Sequence, residues 1–313
     1  MVEHATEHLA GYQARDYEVV DYQLYDLAGT KLKFRGPATE ISGKDFISCL
    51  GAAQTFGCFV EQPYPSLLES ELQLPALNLG YGGAGPRFFN RHPELIDIIN
   101  RGQMAVLQVM SGRSEDNSKF ESKGLEKLVR RSDGKSMSAD AAWRSVMEVR
   151  FAWKRVPFAK AQARTVCRHF GNAAARRLLE ETRKNWLQSY RELIEAIKVP
   201  TVLLWFSKRT PDFIDSYENL HRFMGVYPQL VTREMVDSIR SLADHYVECT
   251  TQRGSPQALI SRFDGGPVEV DLGRDREDFT GQTWKENRYY PSPEMHQDAA
   301  EALSQVVSKL LSR

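Results

Sequence analysis

Short apolar runs recur along the chain, separated by stretches with helical spacing. Asp45-Phe-Ile-Ser-Cys-Leu50 predicts a buried strand running into Gly51. Leu67, Leu68 and Leu72 behind Pro63 predict a helix, because proline suits a first helical turn. Leu74 to Leu79 predicts a second strand, broken by Gly80, Gly82, Gly83 and Gly85. Pro93 to Ile99 predicts a helix and Met104 to Met110 a third strand. Helical stretches follow around 138–152 and 158–197, with strong helix formers from Asn172 to Trp186. Val199 to Phe206 predicts a fourth strand, and Thr232 an N-cap for a helix reaching Leu242. His245 to Cys249 predicts a short fifth strand, residues 250–290 an irregular Gly/Asp/Arg-rich stretch, and Glu294 to Leu311 an amphipathic helix. Strands alternating with helices predict a three-layer α/β fold, its parallel sheet covered on both faces.

At 313 residues the chain fits one large α/β domain over 41–313, behind an N-terminal extension (1–40) that carries Tyr12, Tyr17, Tyr22 and Tyr25. A helical, basic insertion is expected at about 119–197. Lys+Arg and Asp+Glu both number 41, so no net charge points to nucleic acid. The distribution is uneven: Lys119 to Lys184 holds 17 basic and 7 acidic residues, leaving 24 and 34 elsewhere. That segment is either a set of solvated basic faces or a basic rim for an anionic ligand. No apolar run approaches the ~20 residues of a membrane span. The acidic N-terminus shows no apolar signal region, and Cys49, Cys58, Cys167 and Cys249 form no CxxC pair, so a cytoplasmic protein is expected. The apolar face of the last helix fits the sheet and a second subunit equally well, so the oligomeric state stays open.

Chemistry in such a sheet gathers in the loops leaving the carboxyl ends of the strands. Four loops stand there: Gly51-Ala-Ala-Gln-Thr-Phe-Gly57, Asn78-Leu-Gly-Tyr-Gly-Gly83, Ser111-Gly-Arg-Ser-Glu-Asp-Asn117 and Tyr290-Pro-Ser-Pro-Glu-Met-His296. The histidines show no metal-ligand spacing, no phosphate-binding P-loop is present, and Gly82-Gly83-x-Gly85 is too short for a dinucleotide fingerprint. No metal is expected.

The order of these loops resembles the SGNH (GDSL-like) hydrolase superfamily, with its flavodoxin-like sheet. Asn78-Leu79-Gly80-Tyr81-Gly82-Gly83 matches that superfamily's second block, Asn-x-Gly-x-x-Gly, at every fixed position. More closely, the chain looks like a bacterial SGNH-like family without an established activity, in which alanine replaces the block-one serine. The resemblance places the nucleophilic serine on Ala53, the aspartate that orients the histidine on Pro293, and the base on His296. A methyl group cannot attack a carbonyl, so the usual acyl-enzyme route is closed. What the resemblance leaves is His296 as base or ligand contact, and an oxyanion cradle of the Gly83 N–H with Asn117 or Arg113. Thr55 is a candidate replacement nucleophile, and Cys58 reads as a buried small hydrophobe. Gly51, Gln54, Ser111 and Arg113 are candidate substrate contacts, Arg113 through a phosphate or sulfate.

Three functions fit these residues. The first is a transferase moving an acyl or similar group from an anionic donor, coenzyme A or a sulfated nucleotide, to a hydroxyl of a glycan or lipid. Here His296 would deprotonate the acceptor. The second is an esterase-type hydrolase with a non-standard nucleophile, and the third a non-catalytic protein that binds a glycan or an anion.

Overall fold

The computed structural model describes residues 11–41, 43–147, 160–274 and 280–312. The first ten residues of the expected extension and residues 148–159 of the expected insertion lie outside these. Five strands form the main sheet: β1 (Ile47–Gly51), β2 (Ala76–Gly80), β3 (Met104–Gln108), β4 (Thr201–Ser207) and β5 (His245–Thr250). Their order is β5-β4-β3-β1-β2 and every pairing is parallel. The five predicted strands are thus present, each within about two residues of its expected bounds.

The helices are α1 (Gly11–Asp16), α2 (Ala53–Phe56), α3 (Tyr64–Leu72), α4 (Pro86–Asn90), α5 (Pro93–Ile99), α6 (Ala139–Met147), α7 (Lys160–Ala196), α8 (Leu220–Met224), α9 (Arg233–Arg240) and α10 (Pro293–Leu311). Alternate strand residues serve opposite faces. Ile47, Cys49, Met104, Val106, Val202, Leu204 and Phe206 pack with Tyr64 and Leu68 of α3 and with Met295, Leu303 and Val307 of α10. Leu50, Leu107, Leu203 and Trp205 pack with Phe89, Ile99, Trp186, Tyr190, Val236 and Ile239 from α4, α5, α7 and α9. Both faces are dry, so the inner strands read as continuous apolar runs. Thr232 and Ser292 cap α9 and α10 by accepting the main-chain N–H groups of Met235 and Met295.

The expected helical insertion needs correcting at both ends. It opens with a three-stranded antiparallel meander, Phe120–Glu121, Lys127–Arg130 and Ser136–Ser138, before α6 begins. Its last turns are not inserted at all: Trp186, Tyr190 and Leu193 of α7 lie in the core beneath the sheet. The apolar residues there have helical spacing, which does not distinguish a core helix from an appended one. The extension is likewise part of the fold. Tyr22 and Phe34 are completely buried, and Arg35 donates to the carbonyls of Phe56, Gly57, Val60 and Glu61, closing the end of α2.

The chain leaves β1 for β2 on one side and β3 lies on the other, so the connections part at the carboxyl ends of β1 and β3. In open α/β sheets that is where ligands bind. At the end of β2, Gly80 lies so close to α2 that a Cβ would fall 2.1 Å from the main-chain nitrogen of Phe56. Gly80→Ala must push α2 away from the sheet. We expect it to destabilise the protein by about 1–3 kcal/mol in urea unfolding, the usual range for overpacking.

Candidate functional site

A line of buried hydrogen bonds runs across the strand ends. Gln108 on β3 accepts at Oε1 from the Ala52 N–H (3.0 Å) and from Thr55 Oγ1 (2.8 Å). The Thr55 hydroxyl also lies 3.0 Å from the Tyr64 hydroxyl, and the Tyr64 N–H donates to His296 Nδ1 at 3.0 Å. Gln108, Thr55, Tyr64 and His296 are all fully buried. This line uses two of the residues expected to carry chemistry.

His296 is the larger correction. Because Nδ1 accepts a main-chain N–H, the neutral ring carries its proton on Nε2. Nε2 has no hydrogen-bond partner among the described residues. In a nucleophile–His–Asp arrangement the roles are reversed, with Nδ1 donating to the acid and Nε2 free to take a proton. Among the described residues no acid bonds to the ring: the Glu294 carboxylate lies against Gly254, and residue 293 is a proline. Burial, with a smaller contribution from the Arg35 charge, lowers the pKa of His296 to about 3. The ring stacks on Tyr64 and meets Phe206 edge-on, a group enclosed in the core.

The other expected residues divide in the same way. Thr55 has its hydroxyl committed to Gln108 and Tyr64. Cys58 is buried, and burial pushes its thiol pKa up. Ala53 is 5% exposed within a cluster that includes Tyr22, Phe56, Phe59 and Tyr290. Gly51 faces inward, where a Cβ would strike Thr55 and Gln108, and is not a ligand contact. Asn117 is not part of a cradle. Its amide donates to Thr182 on α7 (3.1 Å), and its oxygen accepts the N–H groups of Lys119 and Phe120. Ser111 caps the short turn Gly112–Ser114.

Gly83 and Arg113 are brought together through Glu126, which touches both. Gly83 has φ +74°, and a Cβ there would stand 3.2 Å from Glu126 Cγ. Arg113 donates through Nε (2.9 Å) and Nη2 (2.5 Å) to Glu126, through Nη1 to Asp140 (3.3 Å), and through Nη2 to the Tyr289 hydroxyl (3.1 Å). Its side chain is 8% exposed, against 27% for Glu126 and 39% for Asp140. Burial works against the Arg113 charge, but Glu126, Tyr289 and Asp140 hold it firmly protonated. Gln229 donates to the same Tyr289 hydroxyl at 2.9 Å. Half-buried Tyr12 lies against Gly82 and makes edge contacts with Phe56 and Tyr290, while the Arg15 guanidinium sits 4.6 Å above its ring. Gln54 is buried beside Ala53, and its Oε1 has no partner among the described residues.

Tyr12, Gly82, Gly83, Glu126, Arg113 and Tyr289 therefore form one connected group at the strand ends, the position of the ligand crevice in open α/β sheets. The sequence pointed to Gly83 and Arg113 only. Glu126 and Asp140 come from the meander and the start of α6, and no motif marks them. Tyr289 and Gln229 adjoin predicted elements without periodicity of their own. Part of the basic segment is paired where it is described: Arg130 pairs with Asp133, Arg131 with Asp116, and Arg183 with Asp215. Among the described residues, no cluster of three or more His, Cys, Asp or Glu could hold a metal, and no helix is long and apolar enough to cross a membrane.

A family model described as a domain of unknown function (DUF6473) matches residues 11–134 and 165–311, most of the chain. The chain belongs to the DUF6473 family. A comparison with curated proteins finds no match. Similar solved structures include a family two carbohydrate esterase from Clostridium thermocellum in complex with cellohexaose, at 11% identity over 88% of this chain and 67% of that one, with TM-score 0.40. A possible lipase from Chitinophaga pinensis is 14% identical over 85% and 98% of the two chains, with TM-score 0.39. A catalytic mutant of an acetylxylan esterase from Geobacillus stearothermophilus is 12% identical over 85% and 94%, with TM-score 0.38. In this DUF6473 chain the segments matched by the family model include both α1, which carries Tyr12, and the loop that carries Tyr289, so the crevice lies within the matched residues.

The buried His296 makes a prediction about pH. The unfolded chain binds a proton at this residue below its ordinary value near 6.5, whereas the folded chain binds one only near 3. Between those values the unfolded state holds more protons, so stability falls as pH drops through that window. The loss attributable to His296 is on the order of 4 kcal/mol at the acid end. In urea unfolding at pH 7, 5.5 and 4.5, His296→Gln is expected to be less stable than wild type at pH 7 and to show a shallower loss on acidification. Equal slopes for the two proteins would show that the ring is not buried neutral.

Proposed function

We propose that this DUF6473 protein binds a polyhydroxylated ligand, a glycan, at the strand-end crevice and does not break esters through a covalent enzyme intermediate. One observation carries this reading: Ala53 supplies a methyl group where a nucleophile would stand, and His296 supplies a proton where a base would need a lone pair. Covalent acyl transfer needs both. The cradle is altered too, since the stem of Glu126 packs against Gly83 and its carboxylate occupies Arg113, the other expected cradle donor. What remains is suited to holding a ligand. Tyrosine hydroxyls, an amide and a guanidinium–carboxylate pair converge beside half-buried rings, and sugar hydroxyls both donate and accept hydrogen bonds.

A second reading, direct transfer from a donor to an acceptor hydroxyl, is favoured by the position of Glu126. It is partly exposed, is held by Arg113 and stands beside Gly83, so it could take the proton of an acceptor hydroxyl in place of His296. In that reading coenzyme A or a sulfated nucleotide is the donor.

Thermal melts and an ester assay separate the readings. A ligand that binds only the folded state raises the Tm. Neutral oligosaccharides are expected to raise it, whereas coenzyme A and a sulfated nucleotide leave it unchanged because Arg113 is already paired. Ala53→Ser is expected to hydrolyse p-nitrophenyl acetate no faster than the parent protein, since the added hydroxyl finds no base. A burst of nitrophenol from Ala53→Ser would sink the binding reading. Consumption of acetyl-coenzyme A that is abolished by Glu126→Gln would establish direct transfer instead.

A further inference from the structure

A groove of about 380 Å³ lies where the loop after β5 passes the start of α10. Its apolar walls come from Val19, Val20, Phe59, Pro256 and Ile260. Ile260 is 42% exposed, and Glu61, Gly254 and Pro256 on the same rim are exposed too, so the groove is open to solvent. Its volume is that of a small-molecule site, roughly 300–1,000 Å³. The polar side chains that line it are Glu61, Gln257 and Glu294. Gln257 is already used: its Nε2 donates to the Phe59 carbonyl at 2.8 Å, and its Oε1 accepts from the Asn287 amide at 2.9 Å. Two carboxylates are left to meet a ligand.

The fold holds these walls in place. Phe59 has φ +62°, a costly conformation for a bulky residue. Two hydrogen bonds keep it there, since its N–H donates to the Tyr22 hydroxyl at 2.9 Å and its carbonyl takes Gln257. Gly254 has φ +68°, and the Glu294 carboxylate lies where a side chain on that residue would stand. The Ser292 hydroxyl donates to the Arg253 carbonyl and so ties this loop to the start of α10.

The cations nearby are committed elsewhere. Buried Arg35 donates to four main-chain carbonyls, that of Glu61 among them. Arg253 holds Asp298 and Gln297, and Arg262 donates to the Tyr17 carbonyl and lies over the Tyr17 and Phe263 rings. Among the described residues, no cation forms an ion pair with the carboxylate of Glu61 or Glu294. Like charges in a cleft with apolar walls concentrate counter-ions and repel anions. A cation with an apolar body gains from the charge and from the walls together.

We propose that this groove binds a small organic cation, an ammonium or guanidinium group carried on an apolar chain or ring. Glu61 and Glu294 supply the counter-charge, and Phe59 and Ile260 meet the frame. The site shares no residue with the Arg113–Glu126–Tyr289 group and does not depend on the glycan reading.

The test is calorimetry on the full chain with phenethylamine and agmatine, and with phenethyl alcohol as the neutral match of the first. Both amines are expected to bind, phenethyl alcohol about tenfold more weakly, and the amine affinity is expected to fall as sodium chloride is added. Glu294→Gln should weaken amine binding about tenfold, and the more exposed Glu61→Gln about threefold, with the Tm nearly unchanged in both. Ile260→Lys sets a tethered ammonium at the rim and should abolish binding of the free amines. If Glu294→Gln does not fold, Glu61→Gln and Ile260→Lys carry the test. Equal affinity for phenethyl alcohol and phenethylamine would overturn the proposal, as would amine affinities unchanged in all three variants. Binding of a lysine-rich peptide without binding of either free amine would overturn the small-molecule assignment, and no binding of any cation would remove the site.

Discussion

The side-chain oxygen of Gln108 holds together the point where the sheet's connections part. It takes the N–H of Ala52 at the end of β1 and the hydroxyl of Thr55 on α2. Through Thr55 it reaches Tyr64 on α3, and through Tyr64 the imidazole of His296 on α10. Strands β1 and β3 and helices α2, α3 and α10 are thus tied by groups that never meet solvent. Each of these bonds contributes little net stability, about 1 kcal/mol. Removing one partner is another matter, because the low dielectric raises the cost of every group left behind. That asymmetry explains how a threonine and a histidine can occupy motif positions associated with catalysis and serve the fold instead.

The fold was largely legible in the sequence because its strands are buried on both faces. Val202 to Phe206 reads as a continuous apolar run, and Gly80 marks the strand end where α2 packs closest. Capping also left a clear mark, with Thr232 and Ser292 standing one residue before their helices. Periodicity failed where elements are short or where burial depends on a distant partner. The meander of 120–138 has strands of two to four residues, too few to show alternation. The last turns of α7 carry apolar residues at helical spacing whether they cover the sheet or stand apart from it.

The candidate site was less legible, for a different reason. Motif spacing identifies positions, and those positions are occupied: Gly83 and Arg113 do lie at the strand ends, and His296 does begin the last helix. Spacing does not report which nitrogen of a ring accepts a proton. Nor does it show that Glu126, from a neighbouring meander, will pack its stem against the glycine and its carboxylate on Arg113. Hydrogen-bond direction and the charge of non-adjacent neighbours decide the chemistry, and both depend on tertiary contacts. Nor does the basic excess of 119–184 show in the sequence that Arg130, Arg131 and Arg183 find counter-charges in the folded chain.

The changes at the strand ends are mutually consistent. A serine at position 53 would need a base, and a base at His296 would need a solvated lone pair and an acid on Nδ1. The ring has neither, because Tyr64 and Phe206 enclose it and a main-chain N–H occupies Nδ1. The stem of Glu126 packs against Gly83 while its carboxylate holds Arg113. Arg113 in turn orients Tyr289, which Gln229 also reaches. The Arg113–Glu126–Tyr289 network thus joins the loop after β3 to the meander and to the segment that precedes α10.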